Sequence, residues 1–148
     1  SQLIMEWWDE LTQFVRERNN DAKLNQGRDG EKKSFEYESK KLIKFKSNKK
    51  PIWVSLDNNL LGYDIKSYDE KMNIIFIEAK ASGKEDGLFY LSRNEWNTLL
   101  EKKTSYFIHV WIQDKKEPKI LNYEYLISKR FSIKDSDNAE WVNIKIRP

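Results

Sequence analysis

Two short runs constrain this chain more than any other part of it. They are Gly62-Tyr63-Asp64-Ile65 and Ile74-Ile75-Phe76-Ile77-Glu78-Ala79-Lys80, joined through a polar turn at residues 68–73. Both read as β-strands, the second apolar until its charged end. Side chains at i and i+2 of a strand share a face, roughly 6–7 Å apart. Glu78 and Lys80 therefore look one way together with Phe76, and Ile75 and Ile77 look the other. If the runs pair as a hairpin, Asp64 arrives beside the charged end. Two carboxylates and a lysine gathered there need a reason, because buried charge is costly unless it is paired or bound to a metal. A divalent cation is the expected one.

Composition narrows which cation. The 148 residues include no cysteine and one histidine, His109. Thiolate zinc, a cysteine nucleophile and a multi-histidine zinc site are thereby excluded. Carboxylate ligands suit Mg²⁺, with Mn²⁺ as a substitute. A hydrophobic fraction of 39% with 14% aromatics supports one packed core, in a chain too short for two comfortable domains. Its net charge of +3 does not announce a nucleic-acid binder, so local clustering has to decide. With no signal peptide and no apolar run of membrane-spanning length, a cytoplasmic chain without a membrane partner is expected. A start without Met, inside what reads as a helix, suggests a domain cut from a longer protein.

Along the chain, Leu3, Ile4, Trp7, Trp8, Leu11, Phe14 and Val15 recur at helical spacing. They predict a helix over residues 1–18 packed on the core. The adjacent tryptophans widen its apolar face enough for a dimer contact or an interdomain joint as the alternative. Residues 19–30, polar and glycine-containing, read as a loop. Residues 1–26 then form a helix and linker, and residues 27–148 the main domain. A second helix is predicted over residues 30–45, with Glu31, Phe35, Glu38 and Leu42 on one face. Glu31 and Glu38 lie two turns apart, roughly 10 Å along the axis, so they cannot serve one metal equally. Glu31 is the better metal candidate. Glu38 is left to orient a neighbouring group or a lysine, or simply to pair with Lys41.

Residues 40–50 hold six lysines, Lys40, Lys41, Lys44, Lys46, Lys49 and Lys50. Such a run is usually a solvated face, but beside a metal site it can steer phosphate. A strand over residues 52–56 and a turn at residues 57–59 precede the central hairpin. After it, residues 81–87 form a loop carrying Lys84, placed to touch substrate. Residues 88–91 read as a strand. Ser92 with Glu95 forms a capping box that starts a helix to about Lys103. Residues 105–112 form a strand buried on both faces, where His109 is a hydrogen-bonded structural residue rather than a general base. Residues 120–126 and 140–146 read as strands, or as a short helix and an edge strand, with a turn at residues 135–138.

Asp64 and Glu78 together suit Mg²⁺, which polarises a phosphoryl oxygen and lowers the pKa of bound water. Lys80 suits the orientation of that water or the neutralisation of growing charge. An aspartate, a variable gap and Glu-x-Lys form a weak pattern alone, strengthened by the glutamate-bearing helix before it and the helix and strand after it. In this order the elements resemble the PD-(D/E)xK nuclease superfamily. Within it, Gly27-Arg28-Asp29-Gly30-Glu31, Tyr37-Glu38, Gly62-Tyr63-Asp64-Ile65, Ile77-Glu78-Ala79-Lys80 and Leu91-Ser92-Arg93-Asn94-Glu95-Trp96 resemble the domain at the C-terminus of NO VEIN proteins. That domain also accompanies helicases and ATPases in prokaryotic restriction and defence systems.

The likeness spans roughly residues 27–112. It implies an α/β, restriction-endonuclease-like fold, a mixed central β-sheet flanked by α-helices. It also implies Mg²⁺-dependent cleavage of DNA, double-stranded by expectation, with a homodimer, the parent chain or a helicase as partner. Asp64, Glu78 and Lys80 take the catalytic positions and Glu31 the helical one. Tyr63 stands where the superfamily's name has proline. Asn94 and Glu95, inside a matching motif, are expected to brace the site or touch the substrate backbone, and Lys41, Lys44 and Lys84 to contact phosphate. Two other classes compete. One is a nucleic-acid-binding module that has lost catalysis, against which the complete Asp64, Glu78 and Lys80 set argues. The other is a protein-interaction domain that docks through the Trp7 and Trp8 helix.

Overall fold

A computed structural model describes residues 2–58, 60–83, 86–129 and 141–144, with the backbone alone at residues 2, 3, 9, 12–26 and 141–144. The chain opens with one long helix, α1 (Gln2–Lys44). The loop expected over residues 19–30 is instead the middle of this helix, and the expected boundary at residue 26 falls inside it. No proline occurs before Pro51. A glycine in a helix costs only about 1 kcal/mol, in a stretch that also offers Ala22, Lys23, Leu24, Gln26 and Arg28. Gly30 has a packing use as well. A Cβ built there would stand 3.4 Å from the Ala81 Cβ, so helix and sheet approach closely at that point.

The first turns of α1 do not pack on the core as expected. Ile4, Met5, Trp7 and Trp8 are each more than half exposed. The reason is length. A 43-residue helix runs about 65 Å, whereas the nine-residue strand Ile74–Ser82 spans about 30 Å. The helix outruns the sheet available to cover it.

After α1 come β1 (Ile52–Trp53), β2 (Ile65–Tyr68), β3 (Ile74–Ser82), β4 (Phe89–Ser92), α2 (Arg93–Lys102), β5 (Tyr106–Ile112), β6 (Lys119–Leu121), α3 (Tyr123–Ser128) and β7 (Trp141–Ile144). The central sheet has the order β1-β2-β3-β5-β6. β3 and β5 run parallel, and the other neighbours antiparallel. β4 and β7 form a separate antiparallel pair. The fold is α/β, a mixed five-stranded sheet flanked by helices, as expected. Residues 120–126 resolve into the end of β6 and a short helix, and residues 135–138 lie outside the described residues.

The hairpin of β2 and β3 pairs Ile65 with Ile77, and its turn is tied by Asp69, whose Oδ1 accepts from the amides of Lys71 and Asn73 at 2.9 Å each. On one side of the sheet Ile65, Ile75 and Ile77 are buried with Phe35 of α1 against them. On the other side Tyr106, Ile108 and Val110 pack with Leu91, Trp96, Leu99 and Leu126. The strand expected over residues 52–56 is shorter than predicted. The amides of Val54 and Ser55 both donate to the Asp64 carbonyl, at 2.9 and 3.2 Å. The chain therefore turns at residues 54–56, which brings Ser55 to the edge of the hairpin.

A candidate carboxylate and lysine site

Asp64 stands one residue before β2, and its own amide is pinned to the Ile77 carbonyl at 2.8 Å. Its carboxylate Oδ2 accepts from the Ala79 amide at 2.9 Å. That amide belongs to the residue after Glu78, so the two acids meet at one point of the hairpin. Glu78 is buried, only 5% exposed. The Lys80 Nζ lies 3.3 Å from Glu78 Oε1 and 2.7 Å from Glu95 Oε1. Strand alternation places Glu78 and Lys80 on one face, and the hairpin register delivers Asp64.

Glu95 has two tasks. It completes a capping box at the start of α2, where the Ser92 amide donates to Glu95 Oε1 at 3.0 Å and the Glu95 amide to Ser92 Oγ at 3.1 Å. The same Oε1 also receives Lys80. A helix cap thus fixes the position of the lysine. Asn94 sits differently: its Nδ2 donates to the Leu60 carbonyl at 2.8 Å, bracing the segment that leads into Asp64. Gly62 lies in that segment at a φ of +77°, where an added Cβ would fall 2.1 Å from Thr98 Oγ1. Its carbonyl accepts from the Tyr106 hydroxyl at 2.8 Å. Gly62→Ala therefore combines a left-handed backbone with a clash, and should lower stability by about 2 kcal/mol or more. A urea melt that matched the wild type would refute this account of the turn.

Glu31 reaches the same neighbourhood from α1. Its Oε1 accepts from the Ser55 hydroxyl and, at 3.3 Å, from the Trp53 indole. Sequence reading missed both donors, because they sit in a run that looks like uninterrupted strand and carry no spacing signal. Glu38 lies elsewhere. Buried at 1% exposure, it is ion-paired to Lys41 and stands 3.9 Å from His109 Nε2. Lys41 is thus held by a carboxylate, while Lys44 lies at the exposed end of α1. Lys84 lies outside the described residues. His109 is buried, its Nδ1 3.0 Å from Ser34 Oγ, which also accepts from the Trp111 indole at 2.7 Å. Burial, with Lys41 adding to it, pushes the imidazole down to about 3, so it stays neutral.

The electrostatics of the cluster follow from burial and crowding. Burial, then repulsion from Glu31, pushes the Asp64 carboxyl up to about 7, against the opposing pull of the Ala79 amide, Lys80 and Ser55. Burial raises Glu78 well above the carboxylate range; Lys80 opposes this, while Asp64 and Glu95 add to it. For Lys80 burial works against the charge, but Glu78 and Glu95 outweigh it and hold the ammonium above the usual lysine range. Burial likewise keeps the Tyr106 hydroxyl protonated, helped by Glu78, Glu95 and Asp64. Two acids that resist ionisation therefore stand beside a lysine that stays charged.

Among the described residues, no group of three acidic or histidine side chains is gathered closely enough to hold a metal ion by itself. No described helix is long and apolar enough to cross a membrane. A family model described as Protein NO VEIN, C-terminal, matches residues 30–123, a segment that contains Glu31, Asp64, Glu78, Lys80 and Glu95. Neither a curated protein nor a solved structure matches the chain.

Proposed function

Since the chain belongs to the Protein NO VEIN, C-terminal family, we propose that its carboxylate and lysine cluster is a Mg²⁺-dependent nuclease centre of the PD-(D/E)xK kind. Its reaction is hydrolysis of phosphodiester bonds in DNA, in a restriction or defence setting and as part of a larger protein or system. The observation that carries this reading is the junction at Ala79, where Asp64 is hydrogen-bonded to the amide that follows Glu78 while Lys80 pairs with Glu78 itself. A buried Glu78 whose proton affinity is raised by the half-buried Asp64, itself raised by Glu31, is a poor arrangement for an empty core and a suitable one for a divalent cation.

The residues present fit that ion. Magnesium is usually held by one or two carboxylates with water in its other positions, so a cage of three acids is not required. Asp64 and Glu78 would hold it, with Mn²⁺ as an alternative. When bound, it supplies a polarised phosphoryl oxygen and a more acidic water. Lys80, charged throughout the working range, acts as a donor that orients the attacking water or neutralises charge on the phosphoryl group, and not as the base. Glu95 fixes Lys80 in place. Glu31, held by Ser55 and Trp53, keeps negative potential on Asp64.

Incubation with supercoiled plasmid tests this. The wild type should nick or linearise the DNA with Mg²⁺ or Mn²⁺ and stop when EDTA is added, and Glu78→Gln should leave it intact. Product that is indifferent to EDTA, or equal from both proteins, would overturn the site. Binding of DNA without any metal-dependent product would favour a catalytically silent nucleic-acid-binding module on the same fold.

A further inference from the structure

A cavity of about 450 Å³ opens between α1 and the turn that joins β5 to β6. Lys33, Lys40, Lys41 and Lys44 reach it from the helix, and Lys115 and Lys116 from the turn. Against these six lysines stand Glu36 and Glu117, leaving a net of four positive charges where the whole chain carries only +3. Positions 33, 40 and 44 share one side of the helix with Tyr37, whose ring lies edge-on to His109 and Trp111. None of the carboxylates Asp64, Glu78 or Glu31 lines this cavity.

Two of the six lysines have partners. Lys41 is clamped to the buried Glu38. Lys33 lies 3.2 Å from Asp29 and over the Trp111 ring. Among the described residues, no carboxylate lies within 4 Å of the ammonium of Lys40, Lys44, Lys115 or Lys116. Four unpaired like charges in one concavity repel, and low-dielectric walls focus their potential. An anion bearing several charges relieves that repulsion. The volume lies in the range of pockets that hold small ligands, which matches a nucleotide-sized group better than a single carboxylate.

We propose that this groove binds consecutive phosphoryl groups, at a site separate from the carboxylate cluster. The phosphates belong either to a free nucleoside polyphosphate or to a nucleic-acid backbone; the second source rests on the nuclease reading and the first does not. Calorimetric titration of the full chain, in EDTA so that no cleavage occurs, separates them with three probes: inorganic tripolyphosphate, ATP and a short DNA duplex. The wild type should bind at least one, with affinity falling as salt rises. Lys40→Glu/Lys44→Glu and Lys115→Glu/Lys116→Glu should each weaken that binding by about tenfold or more. Lys71→Glu/Lys103→Glu, exposed and outside both the groove and the 40–50 lysine run, should leave it within about twofold of the wild type.

All six substituted positions are exposed, and unchanged thermal melts will show that the variants fold. Binding of tripolyphosphate and ATP alone assigns a free polyphosphate, binding of duplex alone a backbone, and binding of all three the shared chemistry. Binding by none of the three probes overturns the groove, as does equal binding by the wild type and both groove variants. Because the readout involves neither metal nor cleavage, an inactive carboxylate cluster leaves this test unaffected.

Discussion

Lys80→Met should melt roughly 10 °C below the wild type and cleave no DNA. The thermodynamic part comes from what the substitution leaves behind. Lys80 is paired to Glu78 and Glu95, whose side chains are 7% and 16% exposed. Removing one partner of a buried ion pair costs about 3–5 kcal/mol, and 1 kcal/mol moves a domain of this size by about 2–4 °C. Protonation limits the damage. Without the lysine, Glu78 rises still further above its unfolded value and keeps its proton when folded. Ionisation of the unfolded chain near pH 4 lowers both proteins alike; the gap opens where the wild-type Glu78 can ionise beside Lys80 and the variant's cannot, so it should be wider at pH 8 than at pH 5. Lys80→Met/Glu78→Gln should recover part of the stability and none of the activity. An equal gap at both pH values would show that the pair is not the source of the effect.

Asp64→Asn should have the opposite sign on stability while still abolishing cleavage. In the metal-free protein the Asp64 carboxyl titrates near 7, against about 3.9 in an unfolded chain. Below both values the group costs nothing. Between them the unfolded state gives up its proton and the folded state does not, so stability falls as pH rises from about 4 to about 7. Asparagine carries no charge there, and its side-chain oxygen can still accept from the Ala79 amide. The variant should therefore be more stable than the metal-free wild type at pH 8, by about 1–4 kcal/mol, and the two should converge at pH 4. Added Mg²⁺ should raise the wild-type melting temperature at pH 8 and leave the variant unmoved, with cleavage down by about a thousandfold or more. A variant less stable than the wild type at pH 8 would remove the charge repulsion on which the metal proposal stands.

Much of the candidate site could be read directly because it rests on short-range rules. Alternation along β3 puts Glu78 and Lys80 on one face. Ser92 and Glu95 announce their own cap by spacing alone. Periodicity along residues 31–42 put Glu31 and Glu38 on the buried side of the helix, and the apolar run of β5 marked it as interior. What the sequence obscured is each residue's second partner. Glu95 looks complete as a cap, and nothing local says that its Oε1 also holds Lys80. Ser55 and Trp53 look like strand residues until the Asp64 carbonyl bends the chain at position 54. Lys40, Lys41 and Lys44 look alike, yet one is neutralised by Glu38 and the others are not.

The helix shows the same division from the other side. A proline-free stretch of helix-forming residues allows continuity from residue 2 to residue 44, but the two glycines and the polar middle disguise it. Whether Trp7 and Trp8 meet a core depends on how far the sheet extends beneath them, which no local pattern reports. Amino-acid order alone determined what depends on neighbours a few positions away: strand faces, caps, and the absence of thiolate and multi-histidine ligands. Only the tertiary structure decided which charges meet, which stay unpaired and which apolar face is uncovered. The contacts of Lys80 with Glu95, of Glu31 with Ser55 and of Glu38 with His109 join residues 15 to 71 positions apart, and their free energy depends on a desolvation that exists only once the chain has folded.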